Sequence, residues 1–271
     1  MSRRAEVFIY LLLSFIIIVV IRGQFTLENN RPINEPKIIQ ELAFDYDKRL
    51  GYTVYIEENG MPEPYYVVTK NYFNQRNVLL VRKYLLEESI QYQDNHNTTT
   101  YYATSMPDNF LNTVFIETLS ESVKSEIPLT TITIGVEGGG KRVRNGRTPE
   151  KIKRQVFLLS DYEVEDRYGR FRDTEIRLPF FREDGFKYRI ATLSNGTATY
   201  WWLRSVPGGG RSSARGITHD GRFGSQWMIY PGYLRPAFTL PPNTRIRKTK
   251  YEGEEIYVLD LDWYEKGKDN E

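Results

Sequence analysis

A chain with no cysteine and two histidines has few ways to do covalent or metal chemistry. Missing thiols remove disulfides, thiolate metal sites and cysteine nucleophiles together. His96 and His219 are too few for a histidine-rich zinc site or a histidine relay, so neither metal nor cofactor is expected. The segment Gly135-Val136-Glu137-Gly138-Gly139-Gly140-Lys141-Arg142 satisfies the phosphate-loop spacing G-x-x-x-x-G-K. It puts Arg142 where Ser or Thr should hold magnesium, and turn-forming Val143 to Pro149 follows in place of the helix whose amides would bind phosphate. His219-Asp220 beside serines suggests a hydrolase. No G-x-S-x-G nucleophile turn occurs, however, and Asp220-Gly221 is a hairpin-turn dipeptide. The pairs Glu57-Glu58, Glu87-Glu88 and Asp260/Asp262 read as exposed charges, since spacing along a chain does not show two carboxyls opposed across a sugar. No residue is nominated as catalytic.

Two stretches could bind without reacting. Lys141, Arg142, Arg144, Arg147, Lys151, Lys153 and Arg154 face only Glu150 as an opposing charge, which suits an anionic glycan, a wall polymer or a lipid headgroup. The competing reading is a solvated surface loop. Tyr200-Trp201-Trp202-Leu203-Arg204-Ser205 is the densest aromatic cluster, a stacking platform or core, with core packing the favoured reading. On a strand Trp201 and Trp202 face opposite ways, so one is expected in the core and the other exposed or under a loop. The glycine-rich stretch Pro207 to Gly216 would be that loop, with Arg211 and Arg215 within it as further ligand-binding candidates.

The elements that position these residues follow from composition and periodicity. Over 271 residues, 40% hydrophobic and 27% charged content allows a sizeable core and excludes general disorder. Of 37 basic and 35 acidic residues, Arg3, Arg4, Arg22 and Glu6 precede Gln24, which leaves the remainder neutral. A neutral body argues against nucleic-acid binding, which needs a clustered positive excess.

Val7 to Ile21 is an unbroken apolar run carrying only the hydroxyls of Tyr10 and Ser14. As a helix it reaches about 22 Å, which flanking Arg4 and Arg22 extend toward the roughly 30 Å hydrocarbon core by snorkelling. Bulky Val20, Ile21 and Arg22 offer no peptidase site, so an uncleaved anchor is favoured over a cleaved signal or a buried core helix. The N-terminal arginines put the N-terminus inside and the body outside the cell.

Beyond a polar tether, Pro36 to Leu50 could hold an amphipathic helix using Ile38, Ile39, Leu42 and Phe44. Period-two strands follow around Tyr52–Ile56, Tyr65–Thr69 and Val78–Val81, split by Asn59-Gly60 and Asn74-Gln75 turns. Helices are expected from Met106-Pro107-Asp108 and after Ser120. Thr130 to Gly135 alternates like a strand, Gly138 to Pro149 reads as loop, and Val156 to Ser160 reads as a buried strand with Asp161 capping a short helix. The body is thus an α+β domain with antiparallel sheet and two or three helices.

Several ordered blocks resemble one family. Tyr200 to Pro207, Asp220-Gly221 and Tyr233-Leu234-Arg235-Pro236-Ala237-Phe238-Thr239-Leu240 are similar to the ending of a family of bacterial domains of unknown function, DUF6273. Val78 to Leu86, Thr104 to Phe115 and Gln155 to Glu163 resemble its upstream blocks. Val206 intervenes before Pro207, and Leu234 replaces the family's usual valine; both are conservative for packing.

The resemblance implies a structural motif of Trp201, Trp202, Leu203, Arg204, Ser205, Arg235, Pro236 and Ala237, and more distantly a C-type-lectin-like fold akin to formylglycine-generating enzymes. That enzyme chemistry requires cysteines, which this chain lacks, and the lectin calcium signatures are absent. The expected organisation is an anchor at 1–23, a tether at 24–43, a family domain at 44–242 and an extension at 243–271 with one strand and a charged tail. The expected function is a membrane-anchored, non-catalytic extracytoplasmic binding module for a glycan, wall polymer or protein. It would bind through Lys141, Arg142, Arg144, Arg147, Arg211 and Arg215. A structural component of a cell-envelope assembly is the alternative, and a wall or glycan hydrolase the third reading.

Overall fold

The computed structural model describes residues 35–44, 53–94, 100–134, 150–164, 177–182, 186–206 and 212–261, with the backbone of 142–143 and 146–147. The apolar run at 7–21 lies outside the described residues, and among those no helix is long and apolar enough to cross a membrane.

In chain order the strands are β1 (Thr53–Glu58), β2 (Met61–Tyr72), β3 (Asn77–Arg82), β4 (Ser89–Gln91), β5 (Thr130–Ile134), β6 (Arg142–Val143), β7 (Gly146–Arg147) and β8 (Glu150–Arg154). There follow β9 (Val156–Phe157), β10 (Trp201–Trp202), β11 (Ser213–Ile217), β12 (Phe223–Trp227), β13 (Pro231–Tyr233), β14 (Ala237–Leu240), β15 (Ile246–Tyr251) and β16 (Glu254–Leu259). The helices are α1 (Met106–Thr113), α2 (Glu121–Glu126), α3 (Asp161–Val164) and α4 (Phe186–Arg189), with four short 3-10 turns between or before them.

A seven-stranded sheet runs β15-β16-β1-β2-β3-β14-β9, and a five-stranded sheet runs β12-β11-β10-β13-β4. Pairing is antiparallel except at β1–β16 and β10–β13. The molecule is therefore a compact mixed domain, rich in antiparallel sheet and poor in helix, as its alternation suggested. Where one strand was expected after residue 242, two form, and β16 pairs with β1 through Val54–Tyr257 and Tyr55–Val258. Upstream, Pro36–Leu50 contributes a 3-10 turn, Ile39–Leu42, whose Ile39 and Leu42 are buried in the core.

Local chemistry explains the elements. Asn59 and Gly60 both adopt positive φ, 51° and 78°, the conformation a two-residue hairpin loop needs between β1 and β2. Helix α1 starts at Ser105, whose hydroxyl accepts the Asp108 N–H at 3.2 Å, and Pro107 sits in its first turn, where a missing N–H costs nothing. Ser120 caps α2 in the same way. The cap of α3 is Ser160 rather than Asp161. The Ser160 hydroxyl accepts the Glu163 N–H at 3.1 Å while the Glu163 carboxylate accepts the Ser160 N–H at 2.9 Å, a reciprocal capping box.

Side-chain amides close two sheet edges. Asn112 on α1 donates to the Val156 carbonyl at 2.9 Å and accepts its N–H at 3.3 Å, filling the place of a further strand beside β9. Gln75 does the same for Thr131 on β5, at 2.8 and 2.9 Å.

Candidate functional site

Both tryptophans of the aromatic cluster are fully buried, because β10 lies inside a sheet whose two faces are covered. Neither ring is exposed, so the cluster is core and not an open stacking platform. Trp201 donates its indole N–H to the Arg189 carbonyl at 3.0 Å and Trp202 to that of Ile90 at 2.8 Å. Glycine is required where these rings pass the backbone: a Cβ at Gly232 would meet Trp202 Nε1 at 2.6 Å, and one at Gly216 would meet the Tyr200 ring at 2.2 Å. Gly216, read as loop, therefore belongs to β11 and pairs with Trp202.

The next residue, Arg204, is the centre of a buried knot. Its Nε donates to the Thr133 carbonyl at 2.8 Å and its Nη1 to that of Leu158 at 2.9 Å. Nη1 and Nη2 grip Glu163 as a fork, at 2.7 and 2.8 Å, with both side chains fully buried. Such a pair offsets its desolvation only with further hydrogen bonds, and Glu163 takes these from the Tyr72 hydroxyl and the Ser160 N–H. The knot thus ties β5, the β9–α3 connection and the residue that follows β10 and Leu203 to one another.

Beside the knot, the Ser205 hydroxyl donates to Asp161 Oδ1 at 2.8 Å and accepts the Asp161 N–H at 2.9 Å. Arg215 lies beyond, its Nε 4.0 Å from Asp161 Oδ2 and its Nη1 3.4 Å from the Ser225 hydroxyl. Of the nominated binding residues, Arg215 is the one whose side chain is described, and it is half-buried. Arg142 and Arg147 are cross-strand partners in β6–β7 by backbone register, and that pair falls between β5 and β8 in the chain. Lys141, Arg144 and Arg211 lie outside the described residues.

Arg235, the other motif arginine, is also buried but meets no carboxylate among the described residues. It donates to the carbonyls of Arg82 at 2.9 Å, Tyr188 at 2.7 Å and Lys83 at 3.5 Å, and lies over the rings of Trp201, Tyr66 and Phe181. Burial pulls its pKa down to about 10. Arg82 in turn holds Glu58 at 2.9 Å and Glu63 at 2.9 Å, so Glu58 is a buried partner and not the exposed charge its position suggested. Pro236 and Ala237 are buried where β14 meets β3.

Two clefts flank α1. One, of 430 Å³, is lined by Asp108, Asn109, Asn112 and Arg154; the other, of 370 Å³, by Ile90, Met106, Phe110 and Val114 among others. Arg154 forks onto Asp108 at 2.7 to 2.9 Å. Burial nevertheless raises the Asp108 pKa, partly offset by hydrogen bonds from Arg154. His219 is exposed in the β11–β12 turn, where the Thr218 hydroxyl donates to Asp220, which is turn chemistry.

Sequence reasoning missed Glu163, Asp161 and Asp108 as partners. Ser160-Asp161-Tyr162-Glu163 carried the capping-box pattern, but nothing local named Arg204 as its partner.

Fold and site together define a mixed, antiparallel-rich domain braced by buried arginines. The chain belongs to the DUF6273 family, a domain of unknown function whose match covers residues 75–242 and so includes α1, the knot and Arg235. No curated protein and no solved structure matches the chain.

Proposed function

We propose that this protein is a membrane-anchored binding module of the bacterial cell envelope, held by residues 7–21, with its body outside the cytoplasm on a C-type-lectin-like scaffold. It acts without catalysis, and its recognition surface is built from the segments around Lys141, Arg142, Arg144, Arg147, Arg211 and Arg215. The observation that carries this reading is the Arg204 guanidinium, bonded to Thr133, Leu158 and Glu163. Thr133 and Arg204 precede Lys141 and Arg211 by only a few residues in the chain, and rigid scaffolds are where domains carry binding loops. Arg215 supports it as the nominated residue with a described side chain, which is 23% exposed beside Asp161. The basic character of the segments suits an anionic glycan or wall polymer.

The full chain in detergent, titrated with anionic wall polymers and neutral glycans, tests this reading. Salt-sensitive binding should fall about tenfold or more when Lys141, Arg142, Arg144 and Arg147 are replaced by Ala together. Binding unchanged by that replacement moves the surface elsewhere. The second reading, a structural part of an envelope assembly, is favoured by the exposed rings of Trp227 and Tyr230, 57% and 55% accessible.

A further inference from the structure

An open strand edge invites pairing, and folded proteins normally guard it. This domain guards several of its edges. Asn112 closes β9 and Gln75 closes β5 with paired amide bonds. β15 carries Arg247, Lys248 and Lys250, and β4 is only three residues long. At the end of the five-stranded sheet, β12 reads Phe223-Gly224-Ser225-Gln226-Trp227, with no charge and no proline.

The phase of its hydrogen bonds is fixed. The Met228 N–H bonds the Ser212 carbonyl at 3.0 Å, and the Thr218 N–H bonds the Arg222 carbonyl at 2.8 Å. Alternation along an antiparallel ladder then turns Gly224 and Gln226 toward β11, and the main-chain N–H and C=O of Phe223 and Ser225 outward. Among the described residues nothing bonds the outward groups of Phe223 and Ser225, while the outward Trp227 carbonyl accepts the Tyr230 N–H at 3.0 Å and keeps its second lone pair.

We propose that β12 pairs with β12 of a second copy, antiparallel about Ser225, joining two five-stranded sheets edge to edge. In that register Ser225 exchanges two hydrogen bonds with Ser225 of the other copy. Phe223 stands opposite Trp227 on each side of the twofold axis, giving two aromatic cross-strand pairs on one face. Charge selects the direction. Parallel pairing would set the exposed Arg222 of both copies side by side, whereas the antiparallel register keeps them about 20 Å apart. A five-residue edge buries less than the roughly 1,200 Å² of a standard interface, so the dimer is weak and concentration-dependent.

The chain has no cysteine, so one introduced thiol reports cleanly. Hydrogen-bonded antiparallel partners sit about 5.5 Å apart at Cα, within reach of a disulfide. Ser225→Cys in the full chain in detergent should cross-link under mild oxidant about tenfold faster than Asn243→Cys, which sits in an exposed turn. Sedimentation velocity should show a concentration-dependent monomer–dimer equilibrium. Ser225→Pro removes the outward N–H together with the exposed 3.4 Å contact of the Ser225 hydroxyl with Arg215, and should raise the dissociation constant at least about tenfold with the thermal midpoint kept; Ser225→Lys, should the proline variant not fold, does so by charge repulsion. A monomer at every concentration, a dimer indifferent to both variants, or equal cross-linking of the two thiols overturns the proposal. So does protection of β12 by a strand from a different protein with no self-association.

Discussion

Arg204 and Arg235 are the same residue type in neighbouring blocks of one family match, and both are buried, yet they are accommodated by different means. Arg204 has a counter-charge: Glu163 takes two of its N–H groups, and carbonyls of Thr133 and Leu158 take others. Arg235 has none among the described residues and rests on three carbonyls and three aromatic faces. The consequence appears in its acidity, since burial lowers the Arg235 pKa to about 10 while only weak dipoles and rings hold the proton on. A paired buried charge is a two-body device whose halves fail together. An unpaired one is a socket, and its cost is spread over many small contacts.

Breaking the pair should give the largest effect. Arg204→Met leaves the Glu163 carboxylate buried with two hydrogen-bond donors, Tyr72 and Ser160, and should cost about 3–5 kcal/mol in urea unfolding. Glu163→Leu should cost a similar amount for the mirror reason. The double variant should be less destabilised than the sum by at least about 1 kcal/mol, because no charge is then stranded. Strict additivity would mean that the two groups do not act as a pair.

Arg235→Lys tests the socket. An ammonium cannot reproduce the planar fork to Arg82, Tyr188 and Lys83, so about 1.5–3 kcal/mol should be lost although the charge is kept. No carboxylate substitution should rescue it, in contrast to the Arg204 pair. Equal stability of the lysine variant would show that the charge, and not the planar geometry, is what the socket holds.

How far these devices were legible in the sequence follows from their range. The hairpin β1–β2 and the start of α1 were readable because Asn59-Gly60, Ser105 and Pro107 act on neighbours in the chain. The capping box at Ser160 and Glu163 was readable in kind, but Asp161 drew attention instead. Glu163 meets Arg204 across 41 positions and Tyr72 across 91, a pairing that only the folded sheets create. Core packing was favoured for Trp201 and Trp202, but what covers each ring was not legible, for a related reason. Period two tells which side a residue faces, and it does not tell that both sides are covered. The basic segment was visible as composition alone, because charge clusters without periodicity carry no geometry.

The smallest effect sharpens the comparison from a third case, Asp108 with Arg154, an ion pair at the floor of a cleft with side chains 4% and 24% exposed. Here burial outweighs the partner, and the Asp108 pKa is raised above its ordinary 3.8. The folded state then holds a proton that the unfolded chain has already released. The Asp108 contribution to stability is therefore complete below pH 3.8 and is lost as pH rises through the higher folded value. Asp108→Asn removes this titration, so the stability of the wild type relative to the variant should fall as pH rises through that window. Chemical denaturation at a series of pH values measures it. A difference that grows with pH would mean that the Arg154 fork, and not desolvation, sets the carboxyl, and that Asp108 belongs with Glu163 as a carboxylate fully compensated by its arginine.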